Sequence, residues 1–118
     1  MESRTYHIGE KIFEEGDVGD MAYLVKSGEV KITKMGKDDY PRTIATVTKG
    51  HILGEMALID DEPRAATAIV LAQAEVLIIT KDEFQKRLQN SDQVIGLLLQ
   101  SFTNRLRQQA KQIIELTV

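Results

Sequence analysis

The stretch that decides the fold runs from Gly54 to Thr67 and reads GEMALIDDEPRAAT. Its first residues favour a helix, and Pro63 prevents that helix from continuing, so the sequence predicts one short helical turn after Gly54. The first amides of such a turn, near Met56 and Ala57, have no partner inside the helix and can point at a phosphate. The glycine lets a ligand come close to the backbone. The stretch is therefore predicted to bind an anionic group.

Two charged side chains of this stretch are candidates for direct contact with such a ligand. Arg64 has a guanidinium that can donate to two phosphate oxygens at once. Glu55 opens the turn, and its carboxylate can accept a hydrogen bond from a ribose hydroxyl. Taken singly, each has an ordinary explanation, because the helix dipole alone favours a glutamate in a first turn and an arginine after a proline can simply be solvated. The order of the residues is what indicates a function.

Together these residues resemble the phosphate-binding cassette of the cyclic-nucleotide-binding domain family, which includes regulatory subunits of cAMP-dependent protein kinase and catabolite activator proteins. The family pattern is a Gly-Glu pair, then a small and an apolar residue, and later an arginine followed by a small residue and alanine. Residues 54–58 and 63–67 fill that pattern without a gap. Residues 9–17 (GEKIFEEGD) and 23–30 (YLVKSGEV) are similar to the family's early strands and turns.

The resemblance implies a role for each matched position. Glu55 would receive the ribose 2′-hydroxyl, Arg64 would pair with the cyclic phosphate, and the backbone near Ala57 and Ala65 would complete the phosphate cradle. The residues expected to contact the ligand are Gly54, Glu55, Met56, Ala57, Arg64, Ala65 and Ala66. In this family an alanine directly after the arginine goes with cAMP, so Ala65 favours cAMP over cGMP. No cofactor is expected besides this ligand.

Three further positions are expected to contact the base. Ile44 and Val47 match positions that line the base in some relatives, but they are three residues apart, and a regular strand would place them on opposite faces. Both can line the base only if a β-bulge lies between them. Gln109, near the end of the chain, is the position expected to cap the base.

The rest of the chain predicts a mainly β fold with C-terminal helices. Glycine-punctuated, β-rich runs lie at 5–8, 21–26, 29–35, 42–48, 67–71 and 75–79, which is typical of a double-stranded, jelly-roll-like β-roll. At Thr80 the pattern changes, because Thr80 and Glu83 form a capping box that begins a helix. We expect one domain over residues 1–118, with the roll in 1–80 and a helical output or dimerisation segment in 81–118.

The longer of the two predicted C-terminal helices starts after Asn90-Ser91-Asp92 and carries one apolar stripe. The stripe consists of Ile95, Leu98, Leu99, Phe102, Leu106, Ala110 and Ile113. A helix of ~22 residues is roughly 33 Å long, about the diameter of such a domain, so its end can overhang the roll. Two interpretations stay open: the stripe packs on the roll, or the helix over 94–116 pairs with a second copy of the chain as a homodimer.

Composition and charge narrow the class of function. The chain has 118 residues, no cysteine and a net charge of -3, with a pI near 5.4. This charge has the wrong sign for a domain that neutralises a nucleic-acid backbone, so we expect no DNA binding by this chain alone. The basic residues Arg105, Arg107 and Lys111 are interpreted as a solvated helix face. Without a signal peptide or a membrane span in the sequence, we expect a cytoplasmic protein.

Catalysis and metal binding are not expected. His7 and His51 have no neighbouring nucleophile, and the acidic run Asp60-Asp61-Glu62 lacks the ligand spacing of a calcium loop, so it is interpreted as a solvated turn. The alternative function is a β-roll that dimerises or docks a partner and no longer binds nucleotide. The presence of both Glu55 and Arg64 argues against that alternative.

Overall fold

The computed structural model describes residues 2–117, without the side chains of residues 110 and 112–117. The strands are β1 (Ser3–Tyr6), β2 (Lys11–Phe13), β3 (Met21–Met35), β4 (Pro41–Thr48), β5 (Ile52–Leu53) and β6 (Thr67–Thr80). A short 3-10 helix, Glu55–Leu58, lies between β5 and β6. The helices α1 (Lys81–Leu88) and α2 (Gln93–Thr117) follow the last strand. The predicted mainly β fold with C-terminal helices is confirmed.

The strands form one antiparallel sheet built around β3 and β6. These two strands pair from Met21 opposite Thr80 at one end to Thr33 opposite Thr67 at the other. Strand β4 pairs with the second half of β3 and β5 with its first half. Strands β1 and β2 pair with the opposite side of β6. The long β3–β6 ribbon is thus the frame that carries the shorter strands.

The hydrophobic core is made by side chains that alternate along this ribbon. On β6 the buried residues are Ala68, Val70, Ala74, Val76 and Ile78. This is the period of two that a strand shows when one of its faces is buried. Val25 and Val30 of β3 meet them, and Ile12 of β2 and Leu53 of β5 close the cluster.

The structure has six strands, as many as the expected runs, but it divides them differently: β2 and β5 match no expected run, and two pairs of runs merge. The runs at 21–26 and 29–35 belong to one continuous strand, and so do those at 67–71 and 75–79. The register of β3 shifts on both sides of Gly28, which has a φ of +91° and whose added Cβ would lie 2.6 Å from the Cα of Ala74. The glycine marks a bulged bend where the two strands cross closely, so the ribbon turns without losing its pairing.

Both helices begin at the predicted caps. The Thr80 hydroxyl accepts a hydrogen bond from the Glu83 amide at 3.2 Å, and the Asp92 carboxylate accepts one from the Val94 amide at 2.9 Å. Four members of the predicted stripe are 46–50% exposed, namely Ile95, Leu98, Phe102 and Leu106, and Val94 and Leu97 outside it are 57% and 63% exposed. These side chains are not packed on the roll, whereas Leu99 of the stripe is half-buried. The side chains of Ala110 and Ile113, which were expected to extend the stripe, lie outside the described residues.

Candidate functional site

A cavity of about 230 Å³ lies between β4 and the segment 54–67, which we call the binding segment. The lining includes each of the expected phosphate and sugar contacts, Gly54, Glu55, Met56, Ala57, Arg64, Ala65 and Ala66. It also includes Ile44 and Val47, the two expected base contacts on β4. The structure therefore brings nine of the ten predicted site residues to one cavity. The tenth, Gln109, is exposed on α2 and is not among the lining residues.

The short turn predicted after Gly54 is present as the 3-10 helix. Gly54 has a φ of +73°, a left-handed conformation that glycine adopts without strain, and it redirects the chain from β5 into the turn. Ala57 and Leu58 are buried and fix the turn to the roll, whereas Glu55 is exposed at the cavity. One detail of the expectation is wrong: the Ala57 amide already donates to the Gly54 carbonyl at 3.2 Å, because a 3-10 turn closes one residue earlier than an α-helix.

The Arg64 side chain is the most constrained group of the cavity. It is only 7% exposed, and its guanidinium lies over the Phe13 ring, 4.3 Å from the ring centroid. Its Nη1 donates to the Gly54 carbonyl at 3.2 Å and its Nη2 to the Met21 carbonyl at 2.8 Å, while its buried Nε has no hydrogen-bond partner. Within residues 2–117, no carboxylate forms an ion pair with this guanidinium.

Two glycines make room for that guanidinium. A Cβ on Gly19 would lie 2.6 Å from the Arg64 Cζ, and a Cβ on Gly54 would lie 2.7 Å from the Nη1. Burial lowers the pKa of the Arg64 guanidinium, although the negative charges of Asp17 and Asp20 act in the opposite sense. A buried cation without a paired anion is unfavourable. The cavity therefore presents a charge that an anionic ligand would compensate.

The backbone around Arg64 is held in place by the turn after β2. The Arg64 amide donates to the Asp17 carbonyl at 2.7 Å, and the Gly16 amide donates to the Arg64 carbonyl at 2.8 Å. On the next residue, the Ala65 carbonyl accepts a hydrogen bond from the Lys34 ammonium at 2.6 Å. The end of the binding segment is thus fixed from two sides before any ligand arrives.

The wall opposite the binding segment is an irregular part of β4. Ala45 pairs with Ile32 and Thr43 pairs with Thr33, so Ile44 is an extra residue in the ladder. This is the β-bulge that the spacing of Ile44 and Val47 required, and it allows both side chains to line the cavity. Together with Ala45 they give this side an apolar surface.

Helix α2 reaches the cavity through Arg107 rather than through Gln109. The Arg107 guanidinium binds both carboxylate oxygens of Asp60, at 2.9 and 3.0 Å, and donates to the Pro63 carbonyl at 3.2 Å. Sequence reasoning missed this pair, because it interpreted Arg107 as part of a solvated face and Asp60 as part of a solvated turn. Asp60 is in fact 9% exposed. The two residues are 47 positions apart, and no local pattern signals their contact.

Within residues 2–117, no group of three or more histidine, aspartate or glutamate side chains is arranged to hold a metal ion. Over the same residues, no helix combines the length and the apolar character that crossing a membrane requires.

Comparison with known protein sequences gives consistent matches. The profile of a family described as cyclic nucleotide-binding domain matches residues 3–91. The chain is 38% identical over 86 residues to a cAMP-dependent protein kinase regulatory subunit of Yarrowia lipolytica, covering 73% of this chain and 22% of that protein. It is 31% identical over 105 residues to the cyclic AMP receptor protein of Thermus thermophilus, covering 89% of this chain and 49% of the receptor. The chain thus spans half or less of the length of these relatives.

Solved structures match the same region. The EAL enzyme Bd1971 in its cAMP-bound form superposes with a TM-score of 0.85 at 36% identity, over 92% of this chain and 29% of the enzyme. Its cGMP-bound form gives a TM-score of 0.81 at 37% identity, over 90% and 28%. The catabolite activator protein of Thermus thermophilus gives 0.74 at 28% identity, over 98% and 55%. These proteins share the jelly-roll-like β-roll with this chain.

Proposed function

Because the chain belongs to the cyclic nucleotide-binding domain family, we propose that it is a sensor domain that binds cAMP in the cavity between β4 and the binding segment. The phosphate would lie against Arg64, the ribose against Glu55 and the base against the apolar wall of β4. The C-terminal helices would carry the signal. The relatives that this chain matches include a kinase regulatory subunit and a cyclic AMP receptor, which agrees with a regulatory domain.

This proposal rests on the burial and the hydrogen bonding of the Arg64 guanidinium. Its guanidinium is 7% exposed at a cavity wall, its Nε has no partner, and its two hydrogen bonds go to neutral carbonyls. A cyclic phosphate supplies the missing negative charge and accepts from the fork of the guanidinium. Glu55 stands at the start of the 3-10 turn, with an exposed carboxylate that can accept from a ribose hydroxyl.

The preference for cAMP over cGMP rests on two features of the cavity. Ala65 follows the arginine and offers no side-chain hydroxyl to a guanine. The β4 wall formed by Ile44, Ala45 and Val47 is apolar and suits the stacking of adenine better than hydrogen bonding to guanine. A structural neighbour has been solved with each of the two nucleotides, so both belong in the test.

Calorimetric titration with cAMP and cGMP tests the proposal. We expect the wild-type protein to bind cAMP more tightly than cGMP. We expect Arg64→Lys, which keeps the charge but loses the fork, to lose roughly 1.5 to 3 kcal/mol of binding free energy, or about 10- to 150-fold in affinity. Arg105→Gln is the matched control, because Arg105 is an exposed arginine of α2 that does not line the cavity. No heat with either nucleotide, or equal affinity in the Arg64 variant, would contradict the proposal.

We further propose that this domain dimerises through α2. The supporting observation is the exposed apolar face of that helix, on which Leu97 is 63% and Leu98 48% exposed. An apolar face of this kind is buried when two copies of a helix pair. Light scattering should give the mass of a dimer for the wild-type protein and of a monomer for Leu98→Glu. Lys111→Glu also makes the charge more negative, but at an exposed polar position of the helix, so this variant should stay dimeric. A monomeric wild-type protein would contradict the dimer.

The proposal excludes two activities from this chain. The enzyme among the structural neighbours is matched over 29% of its length, and we propose that the matched part is a regulatory module here as well, without catalysis of its own. DNA binding by this chain alone is not proposed, since its net charge is -3. The cytoplasmic location expected from the sequence stays a prediction.

A further inference from the structure

The ion pair between Asp60 and Arg107 joins the binding segment to helix α2. It is bidentate, with both oxygens of Asp60 engaged, and it is well shielded, because the side chains are 8% and 18% exposed. Arg107 also donates to the Pro63 carbonyl, next to Arg64. Two residues of the binding segment are thus held by one side chain of the helix.

This pair is the main polar attachment of α2 to the roll. In the part of the chain that the structure describes, the hydrogen bonds from α2 side chains to residues of the roll are the three made by Arg107. The neighbouring apolar side chains of α2 are largely exposed, and Phe102 and Leu106 are 49% and 50% exposed. Thr103, one turn before Arg107, is 5% exposed, so packing also contributes to the position of α2, and Arg107 provides its polar attachment beside the cavity.

We propose that Asp60 and Arg107 form a latch that holds α2 beside the nucleotide cavity and thereby slows the release of the ligand. The inference rests on the proposed function for the identity of the ligand, whereas the seating of the helix is a property of the protein alone. Arg107 acts as a positioning residue. Its guanidinium lines the cavity, but its donors are directed at Asp60 and Pro63.

The latch also explains how an acidic residue is tolerated in the binding segment. Asp60 is buried four residues before Arg64, where an unpaired carboxylate would repel a phosphate. Arg107 neutralises that carboxylate. Removing Arg107 therefore has two separate consequences, the release of α2 and the unmasking of Asp60, and the experiment must distinguish them.

The first experiment measures the position of α2 without any ligand. The chain contains no cysteine, so cysteines placed at exposed Asn104 and Lys37 provide unique sites for spin labels. We expect one narrow distance distribution in the otherwise wild-type protein and a broad one in Arg107→Gln and Asp60→Asn. Arg105→Gln and Asp61→Asn are matched controls, since Asp61 is 97% exposed and binds Lys81 instead. Unchanged distances in the Arg107 and Asp60 variants would overturn the latch.

The second experiment measures association and dissociation rates of a fluorescent cAMP analogue. We expect the dissociation rate constant to rise about tenfold in Asp60→Asn, because losing one partner of a shielded pair acts mainly on dissociation. Arg107→Gln should raise it at least as much, since this variant also unmasks the Asp60 carboxylate. The double variant should be no worse than either single variant. Arg107→Lys, which keeps the charge and one contact, should lie between wild type and Arg107→Gln and covers the case in which the glutamine variant fails to fold.

The results of the two experiments distinguish a pair that positions α2 from an arginine that only masks the charge of Asp60. Wild-type dissociation in Asp60→Asn, or recovery of wild-type dissociation in the double variant, would show that Arg107 only masks a charge and would overturn the latch. A wild-type protein that binds no nucleotide, but whose label distances broaden in Arg107→Gln, would overturn the proposed function while supporting the seating of α2.

Discussion

The guanidinium of Arg64 lies between an aromatic ring on one side and two glycines on the other. Phe13 covers it, and Gly19 and Gly54 leave the space that its three nitrogens occupy. The slot fixes the direction of the charge before a ligand arrives, which reduces the ordering that binding requires. The chemistry of the site thus depends on a glycine that lies 45 positions before the arginine.

Gly19→Ala tests this slot. The backbone of Gly19 has no left-handed φ, so alanine is not strained there, and the three atoms nearest to the new methyl group all belong to the Arg64 guanidinium. We expect the free energy of unfolding to change by less than about 1 kcal/mol, while the affinity for cAMP falls at least about tenfold. Urea denaturation and calorimetry measure the two quantities. Gly96→Ala, whose nearest neighbour is a Leu88 methyl group at 3.9 Å, is the control. Full affinity in Gly19→Ala would show that the slot is not needed.

Individual site residues differ in how well the sequence reveals them. Glu55 and Arg64 could be predicted, because both lie in one short stretch whose order is distinctive. Asp60 and Arg107 could not, because their contact depends on where α2 lies after folding. A sequence pattern reports spacing along one element, whereas this pair is set by the packing of two elements.

At the scale of elements, the bulge in β4 was predictable and the continuity of β3 and β6 was not. Ile44 and Val47 demanded a bulge because a period of two cannot place them on one face, and the register of β4 confirms it. Around Gly28, by contrast, the sequence has the features of a turn between two strands. Turn and bulge use the same residue types, so the choice depends on whether the partner strand bends at the same place.

Gly28→Ala in β3 and Gly9→Ala in the turn before β2 separate two effects of replacing a glycine, the backbone strain at a positive φ and the steric clash of the new Cβ. Both residues have a φ near +90°, but a Cβ on Gly9 meets nothing within 4 Å, whereas a Cβ on Gly28 lies 2.6 Å from the Ala74 Cα. We expect Gly9→Ala to lower the free energy of unfolding by about 1 to 2 kcal/mol through strain alone. Gly28→Ala should lower it by at least about 3 kcal/mol, since backbone atoms of β6 must move. Urea denaturation measures both, and equal losses would contradict the close crossing of the strands.

In the whole molecule, the hydrophobic core and the contact between α2 and the binding segment belong to different parts of the chain. The buried cluster uses side chains from Ile12 to Ile78, and all of them belong to the roll. Among its described side chains, α2 contributes no member to that cluster, and it contacts the binding segment through Arg107. The hydrophobic core thus belongs to the first part of the chain, and by our proposal the control of ligand release belongs to α2.

Deleting residues 92–118 tests this division. We expect the shortened chain to keep its β circular-dichroism signal and a single cooperative urea transition, because the core cluster is intact. Nucleotide should dissociate from it about as fast as from Arg107→Gln, since both lack the latch. A broad or absent unfolding transition would show that α2 is part of the folding unit. Dissociation at the wild-type rate would show that the helix does not retain the ligand.

The bulged wall of β4 and the binding segment are separate stretches of chain, joined only through β5 and the turn before it. Substitutions at Ile44, Ala45 and Val47 therefore change the surface offered to the base without moving Gly19, Gly54 or Arg64. If the base lies against β4 as proposed, directed evolution of these three positions should alter selectivity while the Arg64 charge is left intact. The domain is in this sense a modular starting point for biosensors that distinguish one cyclic nucleotide or base analogue from another.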